Sequence, residues 1–301
     1  MLIQCRTDLS SQRKYMTELQ LPDSLVSAEW LHHNIDHPQL VIFDGSWHMP
    51  STGKDAFKEW QSEHIKNARF FDFDKTVCAP DTELPHMMPD AELFTREVQK
   101  LGLNRDSVVV IYDSFGMVTA PRVWWMLKSM GFEACALLDG GLHAWEEAGH
   151  ATFDETQAPV VEPGNFVASQ VAGHFSDVDA VVAAIDDASV TILDARSAER
   201  FSGEVEEPRP GLKRGHMPGA VNMPFPTLFH HGRLKPKSEL AQMFRDQIPQ
   251  GNRTICSCGS GVTACVNAFA ARLVGYDNMT VYDGSWCEWG LPGDLPVEQG
   301  N

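Results

Sequence analysis

The chain has 301 residues, of which 43% are hydrophobic, and its formal net charge at pH 7 is −17. This length and apolar content favour a globular protein with two domains of ordinary size. The acidic balance argues against nucleic acid or an anionic membrane as a main partner, because the field of the protein repels polyanions.

Two features of the chain bear on its compartment. No run of about 18 apolar residues occurs, and the segment Met1–Gln20 lacks the apolar core of a secretory signal. The seven cysteines are odd in number and sparse, which is typical of free thiols in a reducing compartment. These features predict a cytoplasmic protein with no membrane partner.

Short apolar strand patterns alternate with helical patterns along the chain. The strand patterns cover residues 40–43, 108–112, 136–138, 191–193, 254–256 and 280–282. Helical periodicity predicts helices over residues 91–101, 120–130, 178–185, 238–245 and 263–274. The alternation predicts an α/β fold of mainly parallel sheets flanked by helices, with an active site beyond the carboxyl ends of the strands.

The two halves of the chain resemble each other. Val118-Thr119-Ala120 matches Val262-Thr263-Ala264 at an offset of 262 − 118 = 144 residues. Asp139-Gly140 matches Asp283-Gly284 at the same offset, 283 − 139 = 144. The sequence therefore predicts an internal duplication.

The duplication and the composition together predict the domain organisation. We expect one domain over residues 22–150 and a second over 176–301. The segment 151–175 is rich in Pro and Gly with little periodicity, which indicates a linker or a strap across the surface. His64 and His216 recur in the two halves and are predicted to be scaffold positions.

A glycine-rich loop contains the candidate nucleophile. A strand pattern runs directly into Cys258-Gly259-Ser260-Gly261-Val262-Thr263-Ala264-Cys265, and a helical pattern follows. Unpaired N–H groups and the helix dipole stabilise an anion at such a helix N-terminus. The glycines allow the backbone to fold tightly enough for its N–H groups to converge. Cys258 is therefore predicted to be a reactive thiolate, and the alternative is a small buried apolar residue at a strand end.

Three other cysteines near this loop are predicted to be structural. Cys256 lies in the strand, Cys265 lies in the first helical turn, and Cys287 lies outside the loop. A redox pair of Cys256 with Cys258 is not favoured, because Cys-x-Cys differs from Cys-x-x-Cys and a strand residue points away from its loop neighbour.

The cysteine loop, the segment Gly215-His216-Met217-Pro218-Gly219-Ala220 and the duplicated α/β halves resemble the rhodanese superfamily of sulfurtransferases. More narrowly, the chain resembles the two-domain 3-mercaptopyruvate sulfurtransferases over roughly residues 22 to 295. The resemblance implies two tandem rhodanese-like domains, of which only the C-terminal one is catalytic. At the offset of 144, Ser114 matches Cys258, so the first half has no cysteine at this position.

The resemblance also implies a ping-pong reaction. The Cys258 thiolate attacks the sulfur of 3-mercaptopyruvate, pyruvate leaves, and a persulfide forms on the cysteine. Cyanide, a small thiol or thioredoxin then collects the sulfur. No metal or organic cofactor is expected, because cysteine itself carries the transferred atom, and the histidines have no convincing ligand spacing.

Two arginines are implied as substrate-binding residues. The segment 194–210 offers Arg196, Arg200 and Arg209, and a guanidinium binds a carboxylate through two parallel hydrogen bonds. The resemblance assigns the carboxylate and ketone of the substrate to Arg200 and Arg209, which are 209 − 200 = 9 residues apart. From the residues alone, the favoured interpretation of these arginines is solvated surface groups or surface groups paired with nearby glutamates. Four loop residues are predicted to complete the binding site: Gly259, Gly261, Val262 and Thr263.

The resemblance further implies a proton relay beside the nucleophile. Its members are Ser260, then His86 in a proline-flanked segment, then Asp74. Asp72 is a possible substitute for Asp74, because the segment between Asp74 and His86 is about one residue longer than the family pattern. From the residues alone, a structural role is the favoured interpretation of His86.

Three other functions are weighed against this one. A thiosulfate:cyanide sulfurtransferase has cationic side chains after the cysteine, whereas Gly259, Ser260 and Gly261 are uncharged. A dual-specificity phosphatase requires Cys-x5-Arg, and the sixth residue after Cys258 is Ala264. A non-catalytic carrier of a persulfide stays open, and release of pyruvate would separate it from the enzyme.

Overall fold

The computed structural model of the protein describes residues 18–154 and 161–300, which form two five-stranded sheets with helices around them. The strands are β1 (Leu25–Val26), β2 (Leu40–Asp44), β3 (Ala68–Phe70), β4 (Val108–Tyr112), β5 (Cys135–Leu138), β6 (Phe175–Ser176), β7 (Val190–Asp194), β8 (Val221–Asn222), β9 (Phe229–His230), β10 (Arg233–Leu234), β11 (Arg253–Ser257) and β12 (Met279–Tyr282). The α-helices are α1 (Ala28–Asn34), α2 (Ala56–Ser62), α3 (Ala91–Lys100), α4 (Ala120–Ser129), α5 (Gly141–Glu147), α6 (Val178–Ala184), α7 (Ala198–Ser202), α8 (Lys237–Gln247), α9 (Ala264–Leu273) and α10 (Ser285–Trp289).

The two sheets have the same topology. The first has the strand order β1-β5-β4-β2-β3 and the second has the order β6-β12-β11-β7-β8. Every pairing within these two sheets is parallel, whereas β9 and β10 form a short antiparallel hairpin. The predicted α/β fold and the predicted duplication are both confirmed.

The elements that the sequence analysis missed are the short ones. All six predicted strand patterns and all five predicted helices are present, with ends that differ by one or two residues. Helices α1, α2, α5, α7 and α10 have only five to seven residues. A helix of two turns or fewer repeats the 3.6-residue period too few times for dependable recognition from the sequence.

The apolar runs form strands because both faces of each sheet are covered. All five residues of β4 are buried, as expected for a parallel strand between two layers of helices. Helices α4 and α9 pack against each other between the sheets, where the rings of Trp124 and Phe269 have centroids 5.0 Å apart. One continuous hydrophobic cluster includes residues of both sheets, so apolar contact holds the two halves together.

The predicted linker over 151–175 is described only in part, since residues 155–160 lie outside the described residues. Its later part runs along the first half as a strap. The N–H of Gly164 donates to the carbonyl of Gln99 at 2.8 Å, and that of Val171 donates to the carbonyl of Ser129 at 2.7 Å. The division into domains over 22–150 and 176–301 stays a prediction.

The two repeated histidines occupy equivalent places in the scaffold. His64 forms an isolated antiparallel bridge with Phe153, and His216 forms one with Glu298. The Nδ1 atom of each buried ring lies against a backbone carbonyl oxygen, at 2.6 Å for His64 and 2.9 Å for His216. The interpretation of both as scaffold residues is confirmed.

Among residues 18–154 and 161–300, no helix combines the length and the apolar character needed to cross a lipid bilayer. The same ranges contain no group of three or more His, Cys, Asp or Glu side chains arranged to hold a metal ion.

Candidate active site

Cys258 lies at the carboxyl end of the central strand β11 and faces a cavity of about 400 Å³. The residue is only 2% exposed. We call this space the cysteine cavity, and the first half contributes Trp47, Met49 and Phe115 to its wall. The predicted site residues that line it are Cys258, Gly259, Ser260, Val262, Thr263, Arg200 and Arg209.

The backbone of the cysteine loop leaves its N–H groups free. The carbonyl groups of Cys258 and Gly259 accept hydrogen bonds from the N–H groups of Trp286 and Cys287, at 3.0 and 2.8 Å. By contrast, the N–H groups of residues 259–264 donate no hydrogen bond to any residue in the described ranges. The loop therefore offers a set of donors to an anion at its mouth.

Gly261 is required by this loop shape. Its φ is +74°, and a Cβ atom there would lie 2.8 Å from the carbonyl oxygen of Asp283. Any other residue would meet both a left-handed backbone and a backbone clash. Gly261 does not line the cysteine cavity itself, so it shapes the loop.

The first half contains the same loop with its donors filled. The carboxylate of Asp113 accepts hydrogen bonds from the N–H groups of Phe115 and Met117, each at 2.9 Å. It also accepts from those of Thr119 and Ala120, each at 2.7 Å. The four positions 144 residues later belong to the cysteine loop, where the donors are free and Ser257 stands at the position of Asp113. In the first half, the donors of this loop thus bind the carboxylate of Asp113. In the second half, the equivalent donors are open to another anion. The sequence analysis missed this, although the Asp-to-Ser difference was its signal.

Arg200 and Arg209 differ in their partners. Arg200 is paired with the buried carboxylate of Glu207, with Nε 3.2 Å from Oε2. A Cβ atom placed on Gly259 would lie 3.1 Å from Arg200 Nη2, so this guanidinium lies against the cysteine loop. Arg209 makes no hydrogen bond or ion pair with any described residue. A cation without a partner therefore lines the cavity of an acidic protein.

Arg196, the third arginine of this segment, is a structural residue. Its guanidinium is buried and pairs with Asp194 at 2.7 Å and with Glu207 at 2.8 Å. It also lies over the ring of Trp286, 4.0 Å from the centroid. Because Glu207 is anchored by Arg196, it can in turn hold Arg200 in place. Arg200 is thus paired with a glutamate, as the alternative interpretation expected, whereas Arg196 is buried and not a surface group.

Of the three relay candidates, the structure brings two together. His86 Nδ1 lies 3.0 Å from Asp74 Oδ1, whereas Asp72 accepts hydrogen bonds from the N–H groups of Asp74 and Lys75. Among the described residues, Ser260 lines the cysteine cavity and makes no hydrogen bond with His86. Asp74 and His86 do not line the cavity, so they lie behind its wall.

The environment of His86 favours a neutral ring. Burial lowers the pKa of His86, and the carboxylate of Asp74 opposes that shift. The hydrogen bond with His86 lowers the pKa of Asp74. Nδ1 lies close to Asp74, but neither buried ring nitrogen of His86 has a well-aligned hydrogen-bond partner among the described residues.

Comparison with known families identifies the fold. The family model described as a Rhodanese-like domain matches the chain twice, over residues 27–148 and 177–291. The chain belongs to the rhodanese family.

Named relatives of this rhodanese-family chain are sulfurtransferases. It is 38% identical over 275 residues to the 3-mercaptopyruvate sulfurtransferase of Escherichia coli (strain K12), covering 91% of this chain and 97% of that protein. It is 35% identical to the mitochondrial thiosulfate/3-mercaptopyruvate sulfurtransferase 1 of Arabidopsis thaliana, and the match covers 97% of this chain and 83% of that protein. A solved structure is also similar, the crystal structure of SseA from Escherichia coli, a 3-mercaptopyruvate sulfotransferase with the rhodanese fold. The match has a TM-score of 0.79 at 36% identity and covers 87% of this chain and 98% of that chain.

A buried arginine of the first rhodanese-like repeat, missed by the sequence analysis, reaches the cysteine loop. Arg122 on α4 pairs with Asp283, with Nη2 2.7 Å from Oδ1. The same guanidinium donates to the carbonyl of Gly261 at 3.3 Å and to the carbonyl of His86. Asp283 also accepts the N–H of Met88 at 2.7 Å. One ion pair therefore connects the His86 segment to the cysteine loop. Its only signal in the sequence was an arginine in the first turn of a mostly apolar helix.

The lowered pKa of His86 predicts a pH dependence of stability. The unfolded chain binds a proton at this ring more readily than the folded protein does. We therefore expect the contribution of His86 to the free energy of unfolding to fall as pH falls from about 6.5 towards the pKa of His86 in the folded protein. Urea denaturation across this range should show a smaller decrease for His86→Gln. A control variant of the exposed His143, His143→Gln, should follow the wild-type curve, and identical curves for all three proteins would contradict the prediction.

Proposed function

We propose that the protein is a 3-mercaptopyruvate sulfurtransferase that transfers sulfur through a persulfide on Cys258. The observation that carries the proposal is a cysteine in a loop of free N–H donors, facing a cavity with an unpaired arginine. The names of the relatives support the same reaction. In this proposal the half over residues 176–301 is the catalytic domain, and the half over 22–150 shapes the cavity.

Binding of the substrate carboxylate is assigned to Arg209 and Arg200. A small anion needs local cations here, because the net charge of the whole protein is −17. Arg209 is free to form two parallel hydrogen bonds with the carboxylate. Arg200 is held by Glu207 against the cysteine loop, where it can reach the ketone oxygen next to the carboxylate.

In the chemical step, the Cys258 thiolate attacks the sulfur of the bound donor. A sulfur–sulfur bond forms, the carbon–sulfur bond breaks, and its electron pair leaves with pyruvate as the enolate. The thiolate and the persulfide are both anions, so the free N–H groups of residues 259–264 stabilise each of them. Val262 and Thr263 belong to this same set of donors. The reaction requires no cofactor, because the sulfur stays on the cysteine until an acceptor removes it.

Proton transfer during this step is assigned to Ser260, with His86 and Asp74 behind it. The hydroxyl of Ser260 lines the cavity and is placed to exchange a proton with the donor thiol or the enolate. Asp74 lies 3.0 Å from Nδ1 of His86, and we assign proton exchange to the other ring nitrogen, Nε2. In this proposal, a proton passes from the cavity through Ser260 towards the neutral, buried imidazole of His86.

The acceptor is a thiophile that enters the same cavity, such as cyanide, a small thiol or thioredoxin. The six described cysteines are free thiols, which supports a reducing compartment such as the cytoplasm. Thiosulfate is the second candidate donor, because a relative carries both substrates in its name. The uncharged side chains at positions 259–261 favour a monoanionic donor over this dianion.

The deciding experiment compares 3-mercaptopyruvate and thiosulfate as donors at equal concentration, with cyanide as the acceptor. We expect pyruvate and thiocyanate to form together, a slower reaction with thiosulfate, and one added sulfur atom in the intact mass of the loaded protein. A faster reaction with thiosulfate would replace the proposed donor. Absence of steady pyruvate release would favour the non-catalytic carrier.

Loss of either cavity arginine is expected to weaken substrate binding more than turnover. Each charged hydrogen bond is worth about 1.5–3 kcal/mol, so Arg209→Ala and Arg200→Ala should raise the KM for 3-mercaptopyruvate about 10- to 100-fold. Arg214→Ala is the matched control, because Arg214 pairs with Glu206 outside the cavity. Steady-state kinetics with an unchanged KM in both cavity variants would remove these arginines from the substrate site.

A further inference from the structure

Two of the six described cysteines line the cysteine cavity, Cys258 and Cys287. Cys287 lies on the short helix α10, whose backbone is attached directly to the cysteine loop. The N–H of Cys287 donates to the carbonyl of Gly259 at 2.8 Å, and that of Trp286 donates to the carbonyl of Cys258 itself at 3.0 Å. Both cysteines therefore line one cavity, and the two segments that carry them are hydrogen-bonded to each other.

The other two cysteines near the loop, Cys256 and Cys265, do not line the cavity. Cys265 donates its thiol hydrogen to the carbonyl of Gly261 at 3.2 Å. It does not line the cavity, and burial raises its pKa to about 12. The thiol of Cys287 makes no hydrogen bond with a described residue. Cys287 is thus the thiol that is free to meet a sulfur atom carried by Cys258.

We propose that Cys287 is a resolving thiol, which attacks the Cys258 persulfide to form a Cys258–Cys287 disulfide and release sulfide. This inference rests on the proposed function, because that reaction loads the persulfide. The Cys287 thiol loses its proton, and its Sγ bonds to the Sγ of Cys258. The bond from this Sγ to the outer sulfur breaks, and the electron pair leaves with hydrosulfide, which takes up a proton.

The electrons balance without an outside oxidant. The outer sulfur is reduced to sulfide while the two cysteine thiols are oxidised to the disulfide. A thiol or dithiol reductant must then reduce the disulfide before the next turnover. When external acceptors are scarce, the protein would release sulfide once and stop until it is reduced.

The environment of Cys287 makes this step slower than delivery to an external acceptor. Burial raises the pKa of the Cys287 thiol, and the guanidinium of Arg209 partly opposes this shift. Only a small fraction is thiolate at neutral pH, and the thiolate is the attacking form. An abundant acceptor therefore removes the sulfur before Cys287 does.

The test is a single turnover without reductant or acceptor. The full-length, reduced protein receives one equivalent of 3-mercaptopyruvate, and pyruvate, sulfide, intact mass and non-reduced peptides are then measured. For the wild type we expect nearly one sulfide per pyruvate, a protein mass lower by two hydrogen atoms, and a peptide that links Cys258 to Cys287. Cys287→Ser and Cys287→Val should keep the added sulfur and release at least 10-fold less sulfide per pyruvate. The matched control Cys135→Ala, in β5 of the first sheet, should give the wild-type ratio.

Normalising sulfide to pyruvate separates the two proposals. If the wild type releases pyruvate but keeps the persulfide, Cys287 is not a resolving thiol and the proposed function stands. Equal sulfide-to-pyruvate ratios in the wild type and both Cys287 variants would likewise overturn the inference. If no pyruvate forms, the proposed function fails, and this inference fails with it.

Discussion

Replacing Cys258 with serine is expected to abolish pyruvate release from 3-mercaptopyruvate, with a loss of about 10³-fold or more in kcat/KM. A serine hydroxyl is not ionised near neutral pH, so the loop donors would have no anionic nucleophile to stabilise. The variant should fold normally, because oxygen replaces sulfur in a position open to the cavity. Steady-state assays and intact mass after incubation with the donor measure both parts of this expectation.

The matched control for this experiment is Cys135→Ala. Cys135 is a buried thiol in β5 of the first sheet, and its removal should leave the formation of the persulfide intact. If Cys258→Ser kept most of the activity, or if it still gained one sulfur atom, another thiol would have to be the nucleophile.

Breaking the buried ion pair between Arg122 and Asp283 is the second change with a large expected effect. Arg122→Met leaves the Asp283 carboxylate buried without its cation, which costs about 3–5 kcal/mol of stability. It also removes one of the two donors to the carbonyl of Gly261, the other being the thiol of Cys265. The cysteine loop should therefore lose part of its support, and the reaction should slow. Urea denaturation and kcat measure the two effects separately.

Two further variants test whether charge compensation is the cause. Adding Asp283→Leu to Arg122→Met should recover much of the stability, because no uncompensated charge is then buried. It should not recover kcat, since the carbonyls of Gly261 and His86 still lack the guanidinium that held them. Lys66→Ala breaks an exposed pair with Asp36 and should cost at most about 1 kcal/mol. Equal stability of Arg122→Met and the wild type would show that this ion pair does not stabilise the fold.

Most of the fold could be predicted from the sequence because its signals are local. A run such as Val108–Tyr112 is apolar at every position, which indicates a strand buried on both faces. The end of each predicted helix was within two residues of the observed one. Two-residue edge strands such as β1 and β6 are too short to show a pattern in the sequence. They form because they pair with β5 and β12.

The candidate site was predictable only to the extent that its motifs are contiguous. The cysteine loop is one stretch of sequence, so its position at a strand end was correctly predicted. Which aspartate contacts His86 was left open between Asp72 and Asp74, and packing places Asp74 there. The sequence could not show which of the two arginines, Arg200 or Arg209, is paired, because the pairing of Arg200 depends on where Glu207 is buried.

By itself, the sequence determined the duplicated α/β pattern, the glycine-rich cysteine loop and the absence of a cysteine in the matching loop of the first half. These properties follow from periodicity and from backbone needs within a few residues. Only the tertiary structure decided which distant groups meet. Arg122 and Asp283 are 161 residues apart, and Cys287 enters the wall of the cysteine cavity through a separate helix. The physical reason is that a buried charge or thiol acquires its partners from the packing of the whole chain, which no local pattern encodes.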